Sequence, residues 1–109
     1  MVVNQLLEPS ESISIIKEYF NNNFRNFVNK KEGSYTGYWW IGYKNENNDI
    51  SIYFDGDIGG HFYVKIYIDN DEYNLWQFDK SVNHATINNK TNLLYQLNVL
   101  KRFLLETEK

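Results

Sequence analysis

Cysteine is absent from the chain, which excludes a disulfide framework, a thiolate metal cluster and a cysteine nucleophile. Proline occurs once and no stretch reads as a linker, so one domain spanning residues 1–109 is expected. No apolar run approaches the roughly 18 residues that a membrane span requires, which argues against a membrane partner. The opening Met1 to Pro9 has neither a basic n-region nor a sustained apolar core. It therefore does not read as a signal peptide, and the cytoplasm is the expected location.

Apolar residues at 42% and aromatics at 17% suffice for a core and exclude a disordered chain. A domain of this size buries a limited share of its surface, so its large rings contribute to stability before any of them contributes to function. Asparagine occurs 16 times, in runs too short for a prion-like tract. It suits turns and helix ends.

From Ser10 to Val28, Ile13, Ile16, Phe20, Phe24 and Phe27 recur at three- and four-residue steps, which predicts one helical face. Pro9 and Ser10 supply a start and Lys30-Lys31-Glu32-Gly33 a stop. Tyr38–Lys44, Ile50–Phe54, Phe62–Ile68 and Tyr73–Phe78 are rich in aromatic and β-branched residues and predict four strands. Short turn-forming segments between them predict an antiparallel meander. A loop over 79–90 leads to a closing helix from Thr91 to Thr107, capped by Thr91 or Asn89. Leu93, Leu97, Leu100 and Leu104 line its apolar side, widened by Leu94 and Phe103. The expected class is α+β, in the order α-β-β-β-β-α, with both helices on one face of the sheet.

Strand alternation then sorts the side chains. Ile50, Ile52, Phe54, Phe62, Val64, Ile66 and Ile68 belong beneath the helices, with Trp39 and Ile41. Trp76 and Phe78 are expected to join them, with Tyr73 outside. Tyr38, Trp40, Tyr53, Tyr63 and Tyr67 then share the opposite face, where Lys65 is the single expected cation. Such rings stabilise a sheet through cross-strand pairing. They also serve as rigid anchors in protein interfaces, and both readings stay open on the sequence.

Charge adds to the second reading. Between Lys44 and Asp79 eight carboxylates face two lysines, a net −6, while the rest of the chain carries +3. Acids grouped around an aromatic face would steer a basic partner towards it. Nucleic acid is disfavoured as a partner, since phosphate needs a basic field around such rings.

Catalytic and metal motifs are not legible. Asp55-Gly56-Asp57-Ile58-Gly59-Gly60 lacks the later EF-hand ligands and reads as a glycine-rich hairpin turn. No Gly-Lys-Ser/Thr follows Gly59-Gly60, so it is no phosphate loop. His61 and His84 form no recognisable constellation with Ser81 or an acid at this level. No cofactor, metal or enzymatic activity is expected.

The layout resembles that of small bacterial immunity proteins of polymorphic-toxin and contact-dependent inhibition systems. The similar features are a leading helix, the Trp39-Trp40-Ile41-Gly42 strand, the Asp55-Gly56-Asp57 hairpin, the following run from Phe62 to Asp69 and a closing leucine helix. The resemblance implies a chain that binds a cognate toxin protein, such as a basic nuclease, and masks it. Charge and aromatic content make Tyr38, Trp40, Tyr53, Tyr63 and Tyr67, with Asp55, Asp57, Asp69, Asp71 and Glu72, the expected contacts. A glycan- or small-ligand-binding face and a homodimer built on the tyrosine face are the competing expectations.

Overall fold

The computed structural model describes residues 5–107, so the start of the segment tested as a signal peptide lies outside the described residues. Helix α1 (Pro9–Asn23) opens with Pro9 at its first position, where a fixed φ is suitable and a missing N–H costs nothing. The Glu11 side chain, rather than the Ser10 hydroxyl, closes the start by accepting from the Glu8 N–H at 2.8 Å. The helix stops five residues before Val28. Phe24 leaves helical geometry behind the Asn21-Asn22-Asn23 run, and Phe27 begins strand β1 (Phe27–Tyr35). Phe24 and Phe27 still reach the core, but across a turn that imitates helical spacing. Lys30 to Gly33 lie within β1 and end no helix.

Four further strands follow: β2 (Tyr38–Asn45), β3 (Ile50–Gly56), β4 (Phe62–Ile68) and β5 (Asp71–Asn74). They pair in sequence order, each antiparallel to its neighbour, so the sheet is an open meander of five strands rather than four. The last strand is shorter than expected. After Asn74 the chain turns into α2 (Leu75–Phe78), because the Gln77 side chain accepts from the Asn74 N–H at 2.7 Å and starts a helical turn. Leu75 is consequently the buried residue here. Trp76 is 44% exposed, and Phe78 packs at the core's edge against Phe103, with ring centroids 5.4 Å apart. A 3₁₀ turn (Lys80–His84) then leads to α3 (Lys90–Thr107), where Asn89 accepts from the Asn92 N–H at 2.8 Å as the cap.

Both long helices cover one face. Trp39, Ile41 and Tyr43 of β2, Ile50, Ile52 and Phe54 of β3, and Phe62, Val64 and Ile66 of β4 are buried with Ile16 and Phe20 of α1 and the four leucines of α3. At the centre Phe20 stacks on Tyr43, with centroids 3.9 Å apart and planes 15° from parallel. Burial, followed by the charge of Glu32, pushes the Tyr43 phenol up to about 12. Polar groups inside are paired. Ser12 and Asn88 bond side chain to side chain, and Gln96 donates to the Ala85 carbonyl at 2.7 Å.

Two tight hairpins define the registers. Tyr35 pairs with Tyr38 across Thr36-Gly37, and Ile68 with Asp71 across Asp69-Asn70. All four turn residues have positive φ, the geometry whose twist matches that of paired strands. Asp69 and Asn70 tolerate it, whereas Thr36, at φ 50°, is β-branched and strained there. Replacing Thr36 with Asn is expected to raise stability by about 1 kcal/mol. The readout is a higher urea midpoint at constant slope; a midpoint at or below that of the native chain would contradict it.

Asp79 ties the 3₁₀ turn to α3. Its carboxylate accepts from the Ser81 hydroxyl at 2.6 Å, the Arg102 guanidinium at 2.7 Å and the Ser81 N–H at 3.0 Å. The Ser81 hydroxyl, then Arg102, then the Ser81 N–H hold its pKa down at about 2. A carboxyl lowered on folding stabilises the fold above its unfolded value of about 3.9, and that contribution disappears as pH falls through the folded value. Asp79→Asn should therefore flatten the loss of stability between about pH 4 and pH 2, as followed by urea titration at stepped pH. An acid limb identical to that of the native chain would contradict this role.

Candidate binding face

Because direct partners in an antiparallel sheet share a face, the strand registers assign the side opposite the helices residue by residue. Tyr35 and Tyr38 face each other beside the first hairpin. The next row runs Gly33, Trp40, Asp55, Tyr63, and the one beyond it Lys31, Gly42, Tyr53, Lys65, Asn74. Val28, Lys44, Ser51, Tyr67 and Glu72 complete the face. All five expected aromatic residues, Tyr38, Trp40, Tyr53, Tyr63 and Tyr67, are on it.

They fall into two groups. Tyr53 and Tyr67 are half-buried and engaged with their neighbours. Their rings meet edge to face at 5.6 Å, Lys31 Nζ lies 5.0 Å from the centroid of Tyr53, and the Tyr67 hydroxyl donates to Glu72 at 3.0 Å. That bond to Glu72 is the main cause of a raised Tyr67 pKa. Gly42 makes room for this arrangement, since a Cβ there would sit 2.7 Å from the Tyr53 ring. The rings in the middle of the face are thus engaged with their own neighbours, beside an open polar depression of about 560 Å³ lined by Lys31, Ser51, Asp55 and Lys65.

The end beside the first hairpin is different. Tyr35 is 75%, Tyr38 47% and Tyr63 49% exposed, and Ile58 adds 65% from the turn between β3 and β4. The Trp40 indole lies over Gly33, where a Cβ would come within 2.6 Å of the ring. Tyr35, Tyr38, Trp40, Tyr63 and Asp55 together line a shallow, open depression of about 590 Å³. Tyr35 and Ile58 were not among the expected contacts. The sequence signal for Tyr35 is Tyr35-Thr36-Gly37-Tyr38, a two-residue turn with aromatic flanks.

Of the five expected carboxylates, Asp55 and Asp57 come together at the aromatic end, and the others lie apart from them. Asp55 and Glu72 lie on the face, in different rows. Asp57 belongs to the β3–β4 turn, where its side chain accepts from the His61 N–H at 3.0 Å. Asp69 and Asp71 lie at the opposite end of the sheet, about 20 Å away by strand rise, Asp69 in a turn and Asp71 paired with Ile68 on the helix side. Tyr73 is exposed as expected but pairs with Ile66, so it too belongs to the helix side. Lys65 is joined on the face by Lys31 and Lys44, the latter 3.3 Å from Asp49. The face is therefore mixed in charge. Asp and Asn supplied turn geometry in this region, which inflated the apparent acidity of the surface.

His61 Nδ1 lies 3.1 Å from the Thr86 hydroxyl, and the Ser81 hydroxyl bonds Asp79 and Tyr95 rather than His84. No helix among the described residues is long and apolar enough to cross a membrane. Comparison with protein-family models, with curated proteins and with solved structures returned no match.

The two groups of rings should respond differently to truncation. Tyr53→Ala is expected to cost about 1–2 kcal/mol through lost cross-strand and cation–π contacts. Tyr38→Ser and Tyr63→Ser should each cost about 0.5 kcal/mol or less, as ordinary surface changes do. Urea denaturation decides the matter, and equal costs at all three positions would mean that the exposed rings also serve the sheet.

Proposed function

We propose that this protein is a non-enzymatic binding protein of the immunity type, which docks on a cognate toxin protein and occludes it through the aromatic end of its helix-free sheet face. The observation that carries the reading is the gathering of Tyr35, Tyr38, Trp40 and Tyr63 around one open depression, with rings exposed that the fold does not cover. Large amphipathic rings on a rigid sheet present contact area with little entropy left to lose on binding, which is why they dominate interface energetics. The likeness in layout to small immunity proteins supports a toxin as the partner, and a cytoplasmic location belongs to the same reading. The mixed charge of the face fits a partner that presents cations to Asp55 at the aromatic end and carboxylates to the lysines beyond it, rather than a uniformly basic surface.

Co-expression with the product of the neighbouring reading frame is the test. The native chain should relieve growth inhibition by that product. The Tyr38→Ala/Tyr63→Ala double variant should lose protection, with binding weakened by about 2 kcal/mol, or roughly 30-fold. Leu105→Ala, at an exposed position on α3, should protect fully. If the neighbouring product is harmless, or growth arrest is unaffected by the native chain, the proposal fails.

A further inference from the structure

The depression at the aromatic end has a chemical character narrower than protein binding in general. Rings of Tyr35, Tyr38, Trp40 and Tyr63 wall it, and two carboxylates belong to its lining: Asp55, between Trp40 and Tyr63 in the same row, and Asp57 in the adjoining turn. Among the described residues the Asp55 side chain makes no hydrogen bond and no ion pair, whereas that of Asp57 accepts from the His61 N–H at 3.0 Å. Lys31 and Lys65, the nearest cations by register, stand one row away. Lys31 is directed at the ring of Tyr53. The Asp55 carboxylate thus borders the rings on one side and, on the other, an adjoining depression that it lines with Lys31 and Lys65, neither of which lies within ion-pair distance of it.

We propose that this corner is an arginine-recognition site: the guanidinium of a partner side chain stacks on Trp40, flanked by the tyrosines, and donates to the Asp55 carboxylate. Two features favour this occupant. The Trp40 indole packs against Gly33, where a Cβ would collide with it, and stays partly exposed at the wall of the depression, so ring surface is available for stacking. A planar guanidinium can stack and still present N–H groups at its edge to a carboxylate, a combination that an ammonium on a flexible stem does not reproduce. A neutral ligand would leave the carboxylate uncompensated as the rings exclude water from it.

The inference rests on the docking reading but can be tested without the partner. Amide and indole resonances of the ¹⁵N-labelled chain are followed while Nα-acetyl-arginine N-methylamide is added, with the citrulline and lysine counterparts in parallel. Trp→Phe variants assign the Trp40 indole signal. The arginine compound should shift the Trp40 indole and the Asp55 and Gly56 amides saturably in the millimolar range. Citrulline, nearly isosteric and uncharged, should bind at least tenfold more weakly, lysine should fall between them, and Asp55→Asn should abolish the arginine response in a chain whose spectrum remains dispersed. Equal responses to arginine and citrulline, a lysine response as strong as that to arginine, or no Trp40 shift in the native chain would each overturn the proposal. The outcomes separate from those of co-expression: protection that depends on Tyr38 and Tyr63 but not on Asp55 leaves the docking face standing with a different anchor, whereas arginine binding without protection removes the toxin and keeps the site.

Discussion

The stack of Phe20 on Tyr43 is the contact on which the arrangement of layers depends. It joins the last turn of α1 to the second strand of the sheet, and Phe24, Phe27 and Phe54 pack edge-on around the Phe20 ring at 4.8, 5.9 and 6.1 Å. Once Tyr43 is turned towards the helix, alternation along β2 commits Trp39 and Ile41 to the same side and sends Tyr38 and Trp40 to the other. The strand registers then extend that choice across β3 and β4. One aromatic pair beneath a helix thereby determines which rings the opposite surface can present.

The parts of this architecture that were legible were those governed by period. The closing leucine helix and the inward and outward sets of β2, β3 and β4 follow from simple alternation, and the structure has them where periodicity places them. What was not legible lay where two periods meet. Phe24 and Phe27 keep a three-residue step although the chain has already left the helix, so β1 was absorbed into α1. Tyr73 to Phe78 has a strand's composition, yet the side chain of Gln77 gives the backbone at Asn74 a helical alternative. Local capping overrode β propensity, and Trp76 was displaced from the core.

The candidate site was legible in its rings and misjudged in its charges. Rings follow alternation and can be counted. Carboxylates on turns point where the turn sends them, and a tally along the chain cannot separate Asp55 on the face from Asp69 at the far end. The missing strand mattered twice here, because β1 contributes both Tyr35 at the open end and the lysine that occupies Tyr53 in the middle. Without β1 the face lacks Lys31 and looks available throughout, while with it the face divides into a region whose rings engage their neighbours and a region whose rings are exposed.

The ladder between β1 and β2 slips by one residue at Lys30, between the pairs formed by Asn29 and Lys31. That irregularity falls on the sheet's long outer strand, whose far side pairs with no other strand among the described residues. A bulge bends and twists the strand locally, so a second copy approaching edge to edge would meet an interrupted row of donors and acceptors beside the exposed Lys30. The slip therefore makes this margin a poor template for lateral joining, beside a surface that displays bare aromatic rings.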